Sequence, residues 1–195
     1  MQPLRIGVLG SGSGSNFQAL LDAIASGSLP AEIVLVMSDV PEARILERAH
    51  FAGIPSSVID CGGHTKKFPL ASQQSVADAM MAAGAELICL AGFMRLIKTP
   101  LLHAFPKRII NIHPSILPAF PGLEAWKQAL DAGVTETGCT VHYVDAGMDT
   151  GPIIQQVKVP VYTNDTYASL HARIQEQEHV IYPSAILKII PTLTR

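Results

Sequence analysis

The run Arg-Ile-Ile-Asn-Ile-His-Pro-Ser, residues 108–115, ends an apolar stretch on one side-chain amide, Asn111, and one imidazole, His113. In an extended segment residues i and i+2 point to the same side, so amide and ring converge on one region. Both carry N–H donors suited to a developing oxyanion. Three prolines, Pro114, Pro118 and Pro121, follow before Gly122. Proline fixes φ and biases the residue before it toward extended geometry, so this stretch keeps its shape without regular secondary structure. The competing reading is two strand-end residues that satisfy nearby backbone groups.

A carboxylate beside such a histidine would hold its tautomer and stabilise its cation. Two candidates, Asp145 and Asp149, lie in the segment DAGMDTGP, and the residues alone leave the choice open. No Ser or Cys occupies a G-x-S-x-G type nucleophile motif. Cys139 is three residues from His142, and on a strand the two face opposite sides. Direct transfer is therefore favoured over a covalent acyl-enzyme.

A third chemical feature is the loop GSGSGSN, Gly10 to Asn16, between an expected strand and an expected helix. Helix N-termini there present free backbone N–H groups and the positive end of the macrodipole to anions. The dinucleotide fingerprint G-x-G-x-x-G is not met, because its last position falls on Ser15 or on Phe17. A Walker A ending is absent too. A single phosphate monoester, held by amides and the Ser15 hydroxyl, fits this loop better than a pyrophosphate. The competing reading is a flexible turn with a Ser or Asn cap.

The elements that must position these groups follow from apolar periodicity. LRIGVL (residues 4–9), EIVLVMSD (32–39), a short stretch at 57–60, ELICLAGF (86–93) and RIINI (108–112) read as strands. Helices are expected over 15–25, from Pro41 to Gly53, over 70–83 and over 123–132. CTVHYV and PIIQQVKVPV read as an antiparallel pair, and the tail from 165 to 190 as helical, with Pro183 starting a new segment or kinking it. The alternation predicts an α/β fold: a mostly parallel sheet, helices on both faces, an antiparallel C-terminal edge, and ligands at the carboxyl ends of the strands.

Composition narrows the classes. At 195 residues, with 48% hydrophobic and 15% charged residues, the chain is expected to form a single domain over 1–195 and not a disordered segment. A formal charge of −2 without a basic run gives no expectation of nucleic acid or of an anionic membrane surface. The first apolar stretch is too short for a signal core or a membrane span, so a soluble cytoplasmic protein is expected. Three scattered cysteines without C-x-x-C, and seven histidines without H-E-x-x-H, predict neither disulfides nor a metal.

Taken together, GSGSN, LAGFMRL (90–96), NIHPSILPAFPG (111–122), TVHYVDAGMDTGP (140–152) and QEQEHVIYP (175–183) closely resemble the phosphoribosylglycinamide formyltransferases, folate-dependent enzymes of purine biosynthesis. The pieces span nearly the whole chain in that family's order. The resemblance implies a Rossmann-like formyltransferase fold. It also implies transfer of the formyl group of 10-formyltetrahydrofolate, a co-substrate, to the glycinamide amine of 5-phosphoribosylglycinamide, with no metal.

By that similarity Asn111, His113 and Asp149 are the catalytic trio, which selects Asp149 over Asp145. Gly14, Ser15 and Asn16 match the positions that hold the substrate phosphate, and Glu178 the residue that meets the ribose hydroxyls. Met94, Arg95, Leu96 and Ile97, with Asn111, Val144, Asp145, Ala146 and Gly147, match the folate side. Partners are then small molecules, and the chain a monomer or homodimer.

One departure is that Pro69 stands where family members often carry a folate-contacting Arg, with Lys66 or Lys67 as candidate substitutes. The enzymatic alternative is a 10-formyltetrahydrofolate hydrolase. A dinucleotide oxidoreductase, with Asp39 ending the second strand, is the reading from another class; a non-catalytic folate- or nucleotide-binding module is a third.

Overall fold

Apolar runs closed by glycine, proline or a polar turn become strands, and the amphipathic stretches between them become helices. The structure, a computed structural model, describes residues 2–64 and 67–193. Five strands run parallel: β1 (Leu4–Leu9), β2 (Ala31–Ser38), β3 (Ser56–Val58), β4 (Leu87–Leu90) and β5 (Ile109–His113). β6 (Glu136–Tyr143) and β7 (Ile153–Pro160) continue the sheet antiparallel. The order is β3-β2-β1-β4-β5-β6-β7, so the winding reverses between β1 and β4, where α/β sheets open a crevice at their carboxyl ends.

Residues of β1 and β4 alternate between two apolar layers, as the period of two requires. Leu4, Ile6, Val8, Leu87 and Cys89 pack on one face beneath α1 (Ser15–Ala25), α2 (Arg44–Phe51), α5 (Ala125–Asp131) and α6 (Tyr167–Ile189). Leu9, Ile88 and Leu90 pack on the other beneath α3 (Leu70–Ala82) and α4 (Thr99–Ala104). Phe17, Ile45, Met80 and Tyr182 are fully buried anchors of these layers. Each such side chain contributes about 1.5–3 kcal/mol by leaving water. The Tyr182 hydroxyl donates to the carbonyl of Leu90 at 2.9 Å, which fastens α6 under the end of β4.

Two expectations are corrected and one element is added. Pro183 does not start a new segment, the first of the two expected outcomes; Tyr167–Ile189 is one helix. Its buried face, Ile181, Tyr182, Ala185 and Ile186, continues across the proline, and that packing outweighs one lost backbone bond. Helix α2 begins at Arg44 and not at Pro41, because Ala43 N–H donates to the Val40 carbonyl in a preceding turn. α4 went unpredicted: six residues are too few to display a helical period, although Pro100 in its first turn is a fitting start signal. Among the described residues no helix is long and apolar enough to cross a membrane.

Candidate active site

β5 ends on Asn111 and His113, and the antiparallel partner β6 sets Asn111 opposite His142 and His113 opposite Thr140. Directly opposed side chains on one face of a sheet are in contact. Accordingly Asn111 Nδ2 lies 3.2 Å from His142 Nε2. The loop after β6 returns Asp149 over both rings. Its Oδ2 is 3.4 Å from His113 Nδ1, and its Oδ1 is 3.6 Å from His142 Nε2. Asp145, the other candidate, accepts from the Gly147 N–H and the Thr150 hydroxyl within its own loop. The carboxylate facing the imidazoles is that of Asp149.

Hydrogen bonding assigns the tautomers. A carbonyl oxygen only accepts, so His113 Nε2 carries the proton it gives to Phe120 O at 2.9 Å. His142 Nδ1 likewise donates to Tyr143 O at 2.8 Å. The remaining nitrogen of each neutral ring faces the carboxylate, and Asn111 donates to that of His142. The second Nδ2 hydrogen of Asn111 has no partner among the described residues.

Burial lowers the His113 pKa below the ordinary 6.5, with the Phe120 carbonyl and Asp149 opposing it and His142 adding to it. For Asp149 burial pushes upward, but the His142 ring, the Gly122 N–H at 2.8 Å and the charges of both imidazoles outweigh it, so its pKa falls below 3.8. At neutral pH Asp149 is therefore an ionised carboxylate beside a neutral His113.

The glycine loop lies at the crevice, between β1 and α1. Gly14 caps α1 at φ +70°, and a Cβ there would sit 2.9 Å from the backbone of Ile45. Helix α1 has no side-chain cap. The N–H groups of Ser13, Gly14, Ser15, Asn16 and Phe17 donate to no other described residue. Five open amides are a ready anion cradle. The Asn16 side chain, by contrast, points inward. Its Nδ2 donates to Glu178 Oε2 at 2.9 Å, while its buried Oδ1 has no partner among the described residues. Glu178 is itself buried, which raises its pKa, and the Asn16 amide opposes the shift.

The sequence-derived folate wall divides in two. Met94 and Leu96 are exposed, as are Ala146 and Gly147, and Leu123 and Met148 add further exposed apolar surface nearby. Asp145 and Val144 are half-buried. Arg95 and Ile97 do not enter the crevice with their side chains. Ile97 packs in the core with Phe93 and Leu101. The Arg95 guanidinium is buried against Asp39, Nε to Oδ2 at 2.5 Å, and also donates to the carbonyls of His64 and Lys67.

The other Asp39 oxygen accepts from the Ser11 hydroxyl at 2.5 Å, and Ser11 Oγ accepts from the Met94 N–H at 3.0 Å. Both oxygens of this carboxylate are engaged inside the protein and its side chain is only 6% exposed, which argues against a ribose contact and so against the dinucleotide reading. Of the two candidate lysines, Lys67 is exposed and Lys66 lies outside the described residues.

Sequence reasoning missed His142 as a site residue. Its signal was the alternation in Thr140-Val141-His142, which becomes informative only once the β5–β6 register is known. Among the described residues no group of three or more His, Cys, Asp or Glu is arranged to hold a metal ion.

Fold and site together define a doubly wound α/β protein with an open amide cradle and an amide–imidazole–carboxylate cluster at one crevice. The chain belongs to the formyl transferase family, whose model matches residues 4–186. It is 50% identical, over 93% of its length, to the trifunctional purine biosynthetic protein adenosine-3 of Drosophila pseudoobscura pseudoobscura, of which it spans 13%. With the phosphoribosylglycinamide formyltransferase of Bacillus subtilis it shares 43% identity over 95% of this chain and 94% of that one. The crystal structure of glycinamide ribonucleotide transformylase 1 from Symbiobacterium toebii superposes with a TM-score of 0.91 at 51% identity, covering 95% of this chain and 86% of that chain.

Replacing Arg95 by Met strands the Asp39 carboxylate in the interior. The expected cost is about 3–5 kcal/mol in urea denaturation. The double variant Arg95→Met, Asp39→Asn is expected to recover a large part, since no buried charge is left unpaired. An Arg95→Met protein as stable as the parent would refute the buried pair.

Proposed function

We propose that this chain transfers the formyl group of 10-formyltetrahydrofolate to the amine of 5-phosphoribosylglycinamide, a step of purine biosynthesis, in the cytoplasm. The observation that carries the reading is Asp149 held between His113 and His142 beside Asn111, next to a loop of open amides. The similarity to phosphoribosylglycinamide formyltransferases over nearly the whole chain supports the choice of substrates.

The crevice fits both ligands. Open amides from Ser13 to Phe17 suit the phosphate, and Glu178 lies beneath them for the ribose end. The exposed apolar side chains Met94, Leu96, Leu123 and Met148, with the backbone of 144–147, suit a flat aromatic folate. The folate supplies the formyl carbon; the protein supplies position and charge. As the amine attacks, charge builds on the formyl oxygen, and the spare Asn111 N–H is the donor for it.

His113 contributes differently from the sequence expectation, since its Nε2–H is engaged with Phe120 O. Its free Nδ1 and the Asp149 carboxylate form the proton acceptor, and a proton arriving on Nδ1 is stabilised 3.4 Å from the anion. In the reverse sense the same pair returns the proton toward the leaving nitrogen of the folate. No covalent enzyme intermediate is required.

A formyl-transfer assay with and without the ribonucleotide tests the reading. Product formation that requires the ribonucleotide is expected, whereas equal formate release in its absence would establish the hydrolase instead. In that assay Asn111→Ala is expected to lose about 10²–10³ in turnover, roughly 3–4 kcal/mol, with the fold retained. Unchanged turnover would remove Asn111 from the mechanism. The pH profile follows from the shifted groups. Activity needs His113 neutral and Asp149 ionised, so kcat/KM is expected to stay flat through neutrality and to fall only below the ordinary imidazole value of 6.5. An acid limb centred above that value would contradict this assignment.

A further inference from the structure

The loop carbonyls on the far side of the open amides are not free. The Ile45 N–H, in the first turn of α2, donates to Gly12 O at 3.1 Å. One turn further along α2, Arg48 Nε donates to Ser13 O at 2.8 Å, while its Nη1 donates to Gln18 Oε1 at 2.9 Å on α1. In a trans peptide the C=O of one residue and the N–H of the next point in opposite directions. Pinning Gly12 O and Ser13 O toward α2 therefore turns the N–H groups of Ser13 and Gly14 away from it. In this sheet, away from α2 means toward β4 and β5, since α2 links β2 to β3 on the far side of β1. The catalytic cluster lies on that side.

We propose that Arg48 is a positioning residue for the substrate phosphate: its guanidinium, clamped between Ser13 O and Gln18, aims the Gly14 N–H into the anion cradle and backs it with positive charge. The inference rests on the phosphate reading given above and goes beyond it by naming what orients the loop. A guanidinium suits the role because its fixed fork reaches the loop carbonyl and the α1 side chain together, which a lysine cannot do. Arg48 acts through the Ser13 carbonyl, so its loss should appear in ribonucleotide affinity and not in the chemical step.

The experiment is calorimetric titration with ribose 5-phosphate and, separately, with tetrahydrofolate, alongside steady-state kinetics. For Arg48→Met, ribose 5-phosphate binding and the ribonucleotide KM are expected to weaken by about tenfold to a hundredfold, the loss of a charge-assisted hydrogen bond. Tetrahydrofolate binding and kcat should stay within about twofold. Arg48→Lys, which keeps the charge and one donor, should fall between the two proteins. Gln18→Leu removes only the second clamp and is expected to weaken ribose 5-phosphate by about threefold; it keeps the proposal testable if Arg48→Met fails to fold.

Ribose 5-phosphate bound by Arg48→Met within about twofold of the parent overturns the proposal, as does equal loss of both ligands. A parent protein that does not bind ribose 5-phosphate overturns the phosphate reading itself, and the role of Arg48 with it.

Discussion

The antiparallel pairing of β5 with β6 is the constraint on which the site depends. Because the side-chain period of a strand is two, the register that opposes Asn111 to His142 also puts His113, Thr140 and His142 on the same face. A slip of one residue would turn the imidazole of His142 into the core and bring Val141 to the crevice. The next link is equally tight. For the chain to return from Asp149 into β7 it passes against β6 at Gly151, where a Cβ would lie 1.8 Å from Tyr143 O. Glycine alone permits that approach, and the approach closes the loop that carries Asp149 back over the two rings.

Geometry of this kind decides charge. Each imidazole has committed its one N–H to a backbone carbonyl, Phe120 for His113 and Tyr143 for His142. What His113 turns toward Asp149 is then the nitrogen without a proton, and a proton arriving there would be drawn to the anion 3.4 Å away. Burial favours the neutral form of His113, and the nearby carboxylate makes its cation tolerable once a proton comes. The cluster holds the negative charge of Asp149 beside the basic Nδ1 of His113 in one small space. A proton can be accepted there without charge being created in an apolar interior, because it cancels a charge already present.

The alternation of strands and helices other than α4, the parallel-to-antiparallel change and the place of Asn111 and His113 at a strand end were readable from periodicity, because each needs only local spacing. The glycine loop was readable for the same reason: its small residues precede a helix start and match no dinucleotide pattern. What spacing could not supply was anything set by long-range pairing. Asp145 and Asp149 sit in one turn-rich segment, and spacing left the choice open where the family resemblance selected Asp149; His142 required the strand register.

Arg95 was placed on the folate side by the family resemblance, yet its guanidinium turns inward. Asp39 and two loop carbonyls satisfy it better than water would at that depth. At Pro183 the expected new segment does not occur. A local rule against proline was overruled by the apolar face that α6 presents to the sheet.

The proline-rich stretch after His113 completes the account, since the tautomer of His113 is set there and not in the sheet. Phe120, held at φ 55°, turns its carbonyl back to His113 Nε2, and Gly122 offers its N–H to Asp149. The Ser115 hydroxyl donates to Ala119 O at 2.6 Å and closes the base of the loop. A flexible segment would have to lose considerable conformational entropy to hold both contacts at once. Pro114, Pro118 and Pro121 reduce that loss beforehand, by about 0.4–1 kcal/mol each where the backbone suits them. One loop thereby controls the proton on the histidine and the charge on the aspartate together, which couples the readiness of the site to the order of a segment that has no regular secondary structure.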